Sequence, residues 1–538
     1  MHKLSVFWRV LFIFALVFRI APASFADVPY QTGVTTFRGA TTNLVGTGVR
    51  VCLAEAPSSG ENIMVNPADV GCPTNLFTYF TSAGISSNYP NSFGTNDYHC
   101  DRVAAYLCGT VTSSPIFGGC PLGIAPGLAH VDDMDANYFI NNYLLTSSRV
   151  NDAIVNQSFD FVVTNGAGET PLDTDYDNYA ANYGTLFVGS IGAGGHVVPP
   201  GTAYNSIGVA AYQLGGANSS VGPTMDNYRC KPDITGPDPN TSFVVPQVAG
   251  CAAVLMQAGL RGDGGGNTNA AVDIRTIKAL LLNGAVKLLG WTNGPTSPLD
   301  ARYGAGMLNL HNAYVQLAGG RQTNFVTTST ATVGGVHPPN ANATNFIASL
   351  SGWDFTTNTS AGTYDSVHHY YFTVTNNSAK TFFLTSATLT WHRHAGALSI
   401  NNLRLYLYNA ANSNLVNCST SAVDNVQHIY NAHLAPGRYD LQVLKAGGSY
   451  VTAAEPYALA YAFAPLPVLK VAHTTNSTTV TWPAYPAGFQ LQAITNLFAT
   501  NTWSTNNVPY PTVTNQQNIV VLNPTNKAQF FELYSPNF

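Results

Sequence analysis

Two hydrophobic patterns follow one another along the chain, and the change between them divides it. Up to about residue 322, short apolar runs such as Val51-Cys-Leu-Ala54 and Leu186-Phe-Val188 are interleaved with stretches of helical spacing such as Ile274–Val286. Continuous apolar strands alternating with helices predict an α/β domain: a mostly parallel central sheet with helices over both faces, three layers in all. Beyond Gly319-Gly-Arg-Gln322 the period changes to two. Tyr370-Tyr-Phe-Thr-Val-Thr, Ala387-Thr-Leu-Thr-Trp, Leu403-Arg-Leu-Tyr-Leu-Tyr and Tyr439-Asp-Leu-Gln-Val-Leu alternate in and out, with Asn, Gly and Pro turns between them. Residues 345–465 are therefore expected to form a β-sandwich of jelly-roll type after a linker at 323–344. A small C-terminal β-domain is expected over 466–538, from strands at Thr479-Val-Thr-Trp-Pro483, Gly488–Ala493 and Ala528–Leu533.

Three elements of the first region end or begin on chemistry. The strand Gly48-Val-Arg-Val-Cys-Leu-Ala-Glu55 closes on a carboxylate, Glu55. His99 precedes a helical run in which Val103, Tyr106 and Leu107 share a face, so its turn is held rigidly. In Asn240-Thr-Ser-Phe-Val-Val-Pro-Gln-Val-Ala-Gly250, Ser242 stands where a turn opens into a buried helix, with Pro246 tolerated near the first turn and Gly250 allowing close packing. A hydroxyl there lies near unpaired helix N–H groups, which suit a developing negative charge. Separately these are an N-cap serine, a capping or metal-binding histidine and a solvent-facing glutamate. Together they supply a nucleophile, a base and an orienting acid.

These segments resemble the subtilases, the subtilisin-like serine peptidases. Residues 240–250 resemble the family's Gly-Thr-Ser-Met-Ala-x-Pro-His-Val-Ala-Gly, with Asn240 for the first glycine and Gln247 for the histidine. His99-Cys-Asp-Arg-Val-Ala-Ala105 resembles His-Gly-Thr-x-Val-Ala-Gly. Gly123-Ile-Ala-Pro-Gly127, Lys231-Pro-Asp-Ile-Thr-Gly-Pro237 and Tyr303-Gly-Ala-Gly306 resemble three further family segments, and acid, histidine and serine follow in the subtilisin order. The resemblance covers roughly residues 45–316. It implies a subtilisin-like fold over 27–322 and a serine endopeptidase that acts on proteins or peptides through Glu55, His99 and Ser242.

Four departures fall near that chemistry. Glu55 stands where the family has aspartate, and its extra methylene displaces the carboxylate by about 1.5 Å, where about 1 Å can cost a hundredfold in rate. Gly192 stands where the family has an oxyanion-binding asparagine, a donor whose loss costs about 3–4 kcal/mol. Backbone N–H groups, that of Ser242 above all, are the expected compensation, and an asparagine installed at Gly192 is expected to raise kcat. Asn240 replaces a glycine, which matters if that position needs positive φ. Cys100 and Asp101 replace the glycine and threonine beside His99, and Asp101 is expected to favour the charged imidazole. The alternative is a catalytically inactive subtilase fold that binds or builds at the cell exterior.

Composition bears on compartment and ligands. Lys3 and Arg9 flank an apolar run, Val10–Phe18, followed by Ala21-Pro-Ala-Ser-Phe-Ala26, a pattern expected of a secretory signal cut after Ala26. The twenty or so residues from there to Gly48 are too few for the inhibitory propeptide domain that subtilases commonly carry. Only 9% of residues are charged, against about 25% in ordinary soluble domains. The net charge of −5 becomes −8 once Lys3, Arg9 and Arg19 are removed, which argues against nucleic acid and anionic membranes. Of the 8 cysteines, Cys52 and Cys251 lie in apolar runs as expected free thiols, whereas Cys72, Cys108 and Cys120 are disulfide candidates.

No cofactor is expected. Structural calcium, which subtilases often hold, has one candidate in Asp173-Thr-Asp-Tyr-Asp177; Asp132, Asp133 and Asp135 are no better. Ser158-Phe-Asp160 resembles the family segment lining the primary specificity pocket, and its bulk and charge predict a preference for small or basic residues before the scissile bond. The C-terminal β-units are expected to stabilise the first domain or to contact carbohydrate or a cell surface.

Overall fold

A computed structural model describes residues 31–536 except 42, 57–62, 111–122, 214–215, 218, 324–325, 331–332, 376–381, 449–450, 497–502, 506–507 and 524–528. The leader at residues 1–26 and Cys120 lie outside the described residues.

The first region is built on one sheet of nine strands: β1 (Arg50–Glu55), β2 (Phe77–Thr81), β3 (Gly84–Ser86), β4 (His130–Asp135), β5 (Ile154–Gln157), β6 (Leu186–Ser190), β7 (Ile207–Gln213), β8 (Gly216–Ala217) and β9 (Ile234–Pro237). Their order is β3-β2-β4-β1-β5-β6-β7-β8, with β9 also paired to β7. Only the β2–β3 and β7–β8 pairings are antiparallel. Val51 to Ala54, Ile154, Val155 and Leu186 to Val188 are all 0% exposed, as strands covered on both faces must be. Parallel strands send their carboxyl ends to one edge, and ligands of open α/β sheets bind there. Glu55, Gln157 and Ser190 close three adjacent strands at that edge.

The helices that matter for the site are α1 (Tyr98–Cys108), α2 (Gly166–Tyr183), α3 (Thr241–Arg261), α4 (Ile274–Gly284) and α5 (Leu310–Ala318). Among the described residues α3 alone is long and apolar enough to cross a membrane, yet it is buried along nearly its whole length as the central core helix. Gly250 explains how it fits. A Cβ there would stand 2.8 Å from Ile124 Cβ and 3.6 Å from Leu107 O, so the Gly-Ile-Ala-Pro segment and α1 close on α3 only over a bare backbone. The two other short motifs also meet each other. Gly304, at φ +60°, lies so close that a Cβ would come within 2.3 Å of the Asp233 carbonyl carbon. Asp233 accepts from Lys231 Nζ at 2.5 Å, pairs with Lys278 at 3.0 Å and accepts from Gly208 N.

The second region is a sandwich of two antiparallel sheets. One has the spatial order Val326–Ser329, Ser366–Val374, Gly437–Lys445, Leu403–Asn409, Leu415–Ser419; the other runs Ser351–Thr359, Ala454–Pro465, Phe383–Trp391, Val426–Leu434. Tyr370, Phe372, Leu389, Trp391, Leu405, Leu441 and Leu459 fill the space between them. The segment 323–344, read as a linker, contributes the edge strand Val326–Ser329, paired antiparallel with Ser366–His369. Its four exposed residues carry no alternating apolar signal, which is why its sequence resembles a connection. The outer face of the second sheet rests on α4, and Trp353, Val426, Ala458 and Ala460 belong to the same apolar cluster as the core around the nine-stranded sheet. At the C-terminus a four-stranded and a two-stranded sheet enclose a small core of Val480, Trp482, Leu491 and Val520.

Cys52 and Cys251 are wholly buried thiols, and Cys72 Sγ lies 4.0 Å from Cys108 Sγ.

Candidate active site

α1 begins because Asp97, in extended conformation, caps it: the Asp97 carboxylate accepts from His99 N at 2.9 Å. The cap fixes His99 in the first turn, beside the end of β1. His99 Nδ1 lies 3.1 Å from Glu55 Oε2, with the carboxylate fully buried and the imidazole partly exposed. The longer glutamate side chain therefore reaches the ring. The contact is within hydrogen-bond distance and becomes an ion pair when the imidazole is protonated. Desolvation lowers the affinity of His99 for a proton, but Glu55 outweighs it and Asp97 adds to the effect, so the histidine titrates above its ordinary range. Burial also raises Glu55, with His99 opposing.

Asp101, expected to act on the imidazole, faces elsewhere. Its Oδ1 accepts from Asn66 N at 2.7 Å and its Oδ2 from Asn96 Nδ2 at 2.8 Å, and burial pushes it up to about 6. Asp97 is the second acid that acts on His99.

Ser242 sits in the first turn of α3, as its sequence context predicts, and its hydroxyl has another partner than the histidine. Ser242 Oγ donates to Ser158 O at 3.2 Å, and Ser158 Oγ donates to Ser242 O at 2.9 Å. Asn156 Nδ2 donates to Ser158 Oγ at 3.0 Å and steadies the pair. Among the described residues no hydrogen bond joins Ser242 to His99; the imidazole instead faces the Phe243 ring, with centroids 5.5 Å apart. Glu55 and His99 are thus brought together, and Ser242 is placed on the neighbouring turn with a different partner.

The oxyanion side differs more from expectation. Asn240 has φ −126°, an extended conformation open to any residue, so its replacement of glycine involves no strain. It acts instead as the helix cap: Asn240 Oδ1 accepts from Ser242 N at 3.0 Å. The N–H expected to receive the oxyanion already has an acceptor. Gly192 carries φ +97°, and a Cβ there would stand 2.7 Å from Ser220 Oγ and 2.9 Å from Val198 Cγ2. An asparagine at Gly192 would meet a positive φ and two close side chains, which counts against the gain in kcat expected from it. Gly192 N donates to Ser190 Oγ, which donates to Thr241 Oγ1 at 2.9 Å, tying the end of β6 to the start of α3.

One supporting group is absent from the sequence reading. Arg102 stacks 3.9 Å from the Phe243 ring centroid, and both Arg102 and Tyr106 contact Asp238 Oδ2, at 3.3 and 3.1 Å. Asp238 Oδ1 accepts from Asn240 N at 2.9 Å, which orders the turn before the serine. Arg102 and Tyr106 lie on one face of α1 with His99, at spacings of three and four; that periodicity was the available signal.

The segment after β5 lies beside the serine through Ser158. Phe159 packs edge-on to Phe161 at 5.7 Å, Phe161 N donates to Pro199 O, and burial raises Asp160 above the usual carboxylate range.

The calcium candidate does not fit its residues. Asp173 and Asp177 lie one turn apart on α2 rather than in a loop, and both are wholly buried. Asp173 pairs with Arg229 at 2.6 Å and accepts from Thr202, while Asp177 pairs with Arg393 at 2.8 Å and accepts from Asn205 N. Two arginines already neutralise these carboxylates. Asp132 pairs with Arg50 at 3.1 Å, and Asp133 accepts from Val65 N.

No family model matches the chain, and no curated protein matches it. Among solved structures it is similar to a serine protease of Aeromonas sobria, at 12% identity over 91% of this chain and 88% of that one, with a TM-score of 0.36. It is similar also to MycP1 from Mycobacterium smegmatis, at 15% identity over 55% of this chain and 86% of that one, with a TM-score of 0.35. Tripeptidyl peptidase 2 is 12% identical over 77% of this chain and 44% of that one, with a TM-score of 0.33. These neighbours are peptidases, but likenesses at such scores carry no weight for this chain's chemistry, which rests on the sheet order and the side chains at its carboxyl edge.

Proposed function

We propose that the chain is a subtilisin-like serine endopeptidase whose site rests in a latent arrangement. The observation that carries this reading is the buried Glu55 at 3.1 Å from His99 Nδ1, beside the helix turn that bears Ser242. A bound peptide carbonyl would draw Ser242 Oγ from Ser158 O to the free Nε2 of His99. The imidazole takes the hydroxyl proton as Oγ attacks, and Glu55 stabilises the resulting imidazolium. The tetrahedral oxyanion needs the Ser242 N–H, so the Asn240 side chain has to rotate away. His99 then returns the proton to the leaving amine, and water releases the acyl group by the same route in reverse. Phe159 and Asp160 flank the substrate path and favour small or basic residues before the scissile bond. The apolar leader adds the proposal that the peptidase acts outside the cell.

A specific observation favours the second reading, an inactive fold: both the hydroxyl and the N–H of Ser242 have partners within the protein. Assay of Ser242→Ala beside wild type on a peptide library separates the two. The peptidase reading expects turnover to vanish with almost unchanged thermal stability. Equal inertness of both proteins toward peptides and simple esters would establish the second.

A further inference from the structure

We propose that Glu55, His99 and Cys100 form a binding site for a divalent cation of zinc type. One ligand atom from each residue lies within 4.8 Å of those of the other two. Carboxylate oxygen, imidazole nitrogen and thiolate sulfur are all zinc donors, and three protein ligands leave a fourth position for water. Bonds of about 2.0–2.3 Å in a tetrahedron need ligand atoms about 3.3–3.8 Å apart. Glu55 Oε2 and His99 Nδ1 stand at 3.1 Å, slightly under that spacing, and the Cys100 sulfur lies within 4.8 Å of the other ligand atoms, so closure asks the three side chains to adjust around an ion.

Two further observations point to a ligand. Glu55 is 0% exposed, its Oε2 stands 3.1 Å from His99 Nδ1, and its Oε1 has no hydrogen-bond partner among the described residues. Glu55, Asp133, Asp97 and Asp101 place negative charge around Cys100, and Arg102 is a cation near His99. A divalent ion answers that field. Binding exchanges charge cleanly: the Cys100 thiol releases one proton to solvent as the sulfur–metal bond forms, and an imidazolium at His99 would release a second. Cys72 and Cys108 place two sulfurs together, but no histidine or carboxylate joins them among the described residues.

Such an ion would occupy the His99 nitrogen that Glu55 must orient, so metal binding and the proposed hydrolysis exclude each other. Binding itself does not depend on the peptidase reading, and its readout is spectroscopic. Cobalt(II) is titrated into the reduced full-length chain at neutral pH and the thiolate-to-metal absorption recorded in the near ultraviolet. One equivalent should give the band, zinc should displace it, Cys72→Ser should keep it and Cys100→Ser should lose it. Glu55→Gln should weaken binding at least about tenfold, no less than loss of an outer partner does. No band in wild type, or a band that survives Cys100→Ser, overturns the site. Should Cys100→Ser not fold, His99→Gln at its partly exposed position decides in the same way: loss supports the site and retention overturns it.

Discussion

On the proposed peptidase reading, Asn240 is the residue that decides activity. Its Oδ1 lies 3.0 Å from Ser242 N, the N–H that the proposal assigns to the oxyanion. Replacement by glycine removes that competitor at a stability cost of a few tenths of a kcal/mol, because glycine remains an acceptable N-cap. Asn240→Gly is therefore expected to raise kcat/KM about ten- to a hundredfold on a peptide substrate with little change in Tm, and no rise would show that the Ser242 N–H does not serve the oxyanion. The pH profile follows from His99. A general base works only when neutral, and Glu55 holds the imidazolium above the ordinary histidine range. The acid limb of kcat/KM should then lie above pH 6.5, and Glu55→Gln should move it downward. The three candidate residues, Glu55, His99 and Ser242, stand out in the sequence because each stands at the end of a strongly patterned element. The sequence pattern puts the N-cap at Ser242, whereas Asn240 holds it two residues earlier and accepts from the second helical N–H, that of Ser242. Ser158 as the partner of Ser242 was not legible, for it is 84 residues away and depends on how β5 meets α3.

Among the elements, the buried strands and α3 are read correctly from apolar runs, while α2 is not. Asp173, Asp175 and Asp177 alternate as strand or loop residues would, only Asp173 and Asp177 share a helical face, and only Arg229 and Arg393, distant in sequence, explain why those two are buried. Glycines mark where elements touch. Gly304→Ala would set a Cβ against the Asp233 backbone at a positive φ, so unfolding by denaturant should show a loss of about 1–3 kcal/mol or more. Wild-type stability in that variant would contradict the close contact between the Lys-Pro-Asp-Ile and Tyr-Gly-Ala-Gly segments.

For the whole molecule, period-two strands predict a sandwich but not its partner. The sandwich shares an apolar core with the first region across α4, so the two should unfold in one calorimetric transition, whereas two separate transitions would deny the shared core. Lys287 lies in that junction, fully buried, donating to Ala305 O and His428 Nε2 and stacked 4.6 Å from the Trp291 ring. Desolvation lowers it to about 7, and Lys278 is likewise lowered to about 8. The unfolded chain binds these protons more tightly between those values and about 10.4, so stability should rise with pH across that window. Lys287→Met should flatten the slope in thermal melts recorded from pH 7 to 10, and an unchanged slope would mean that Lys287 is not desolvated in solution.

We propose Ser242 as a nucleophile held in check. Fluorophosphonate labelling of the full-length chain, with the modified peptide identified by mass spectrometry, tests it most directly. Label is expected on Ser242, faster in Asn240→Gly, slowed in His99→Ala and absent in Ser242→Ala. A folded Asn240→Gly protein that takes no label at Ser242 would contradict it.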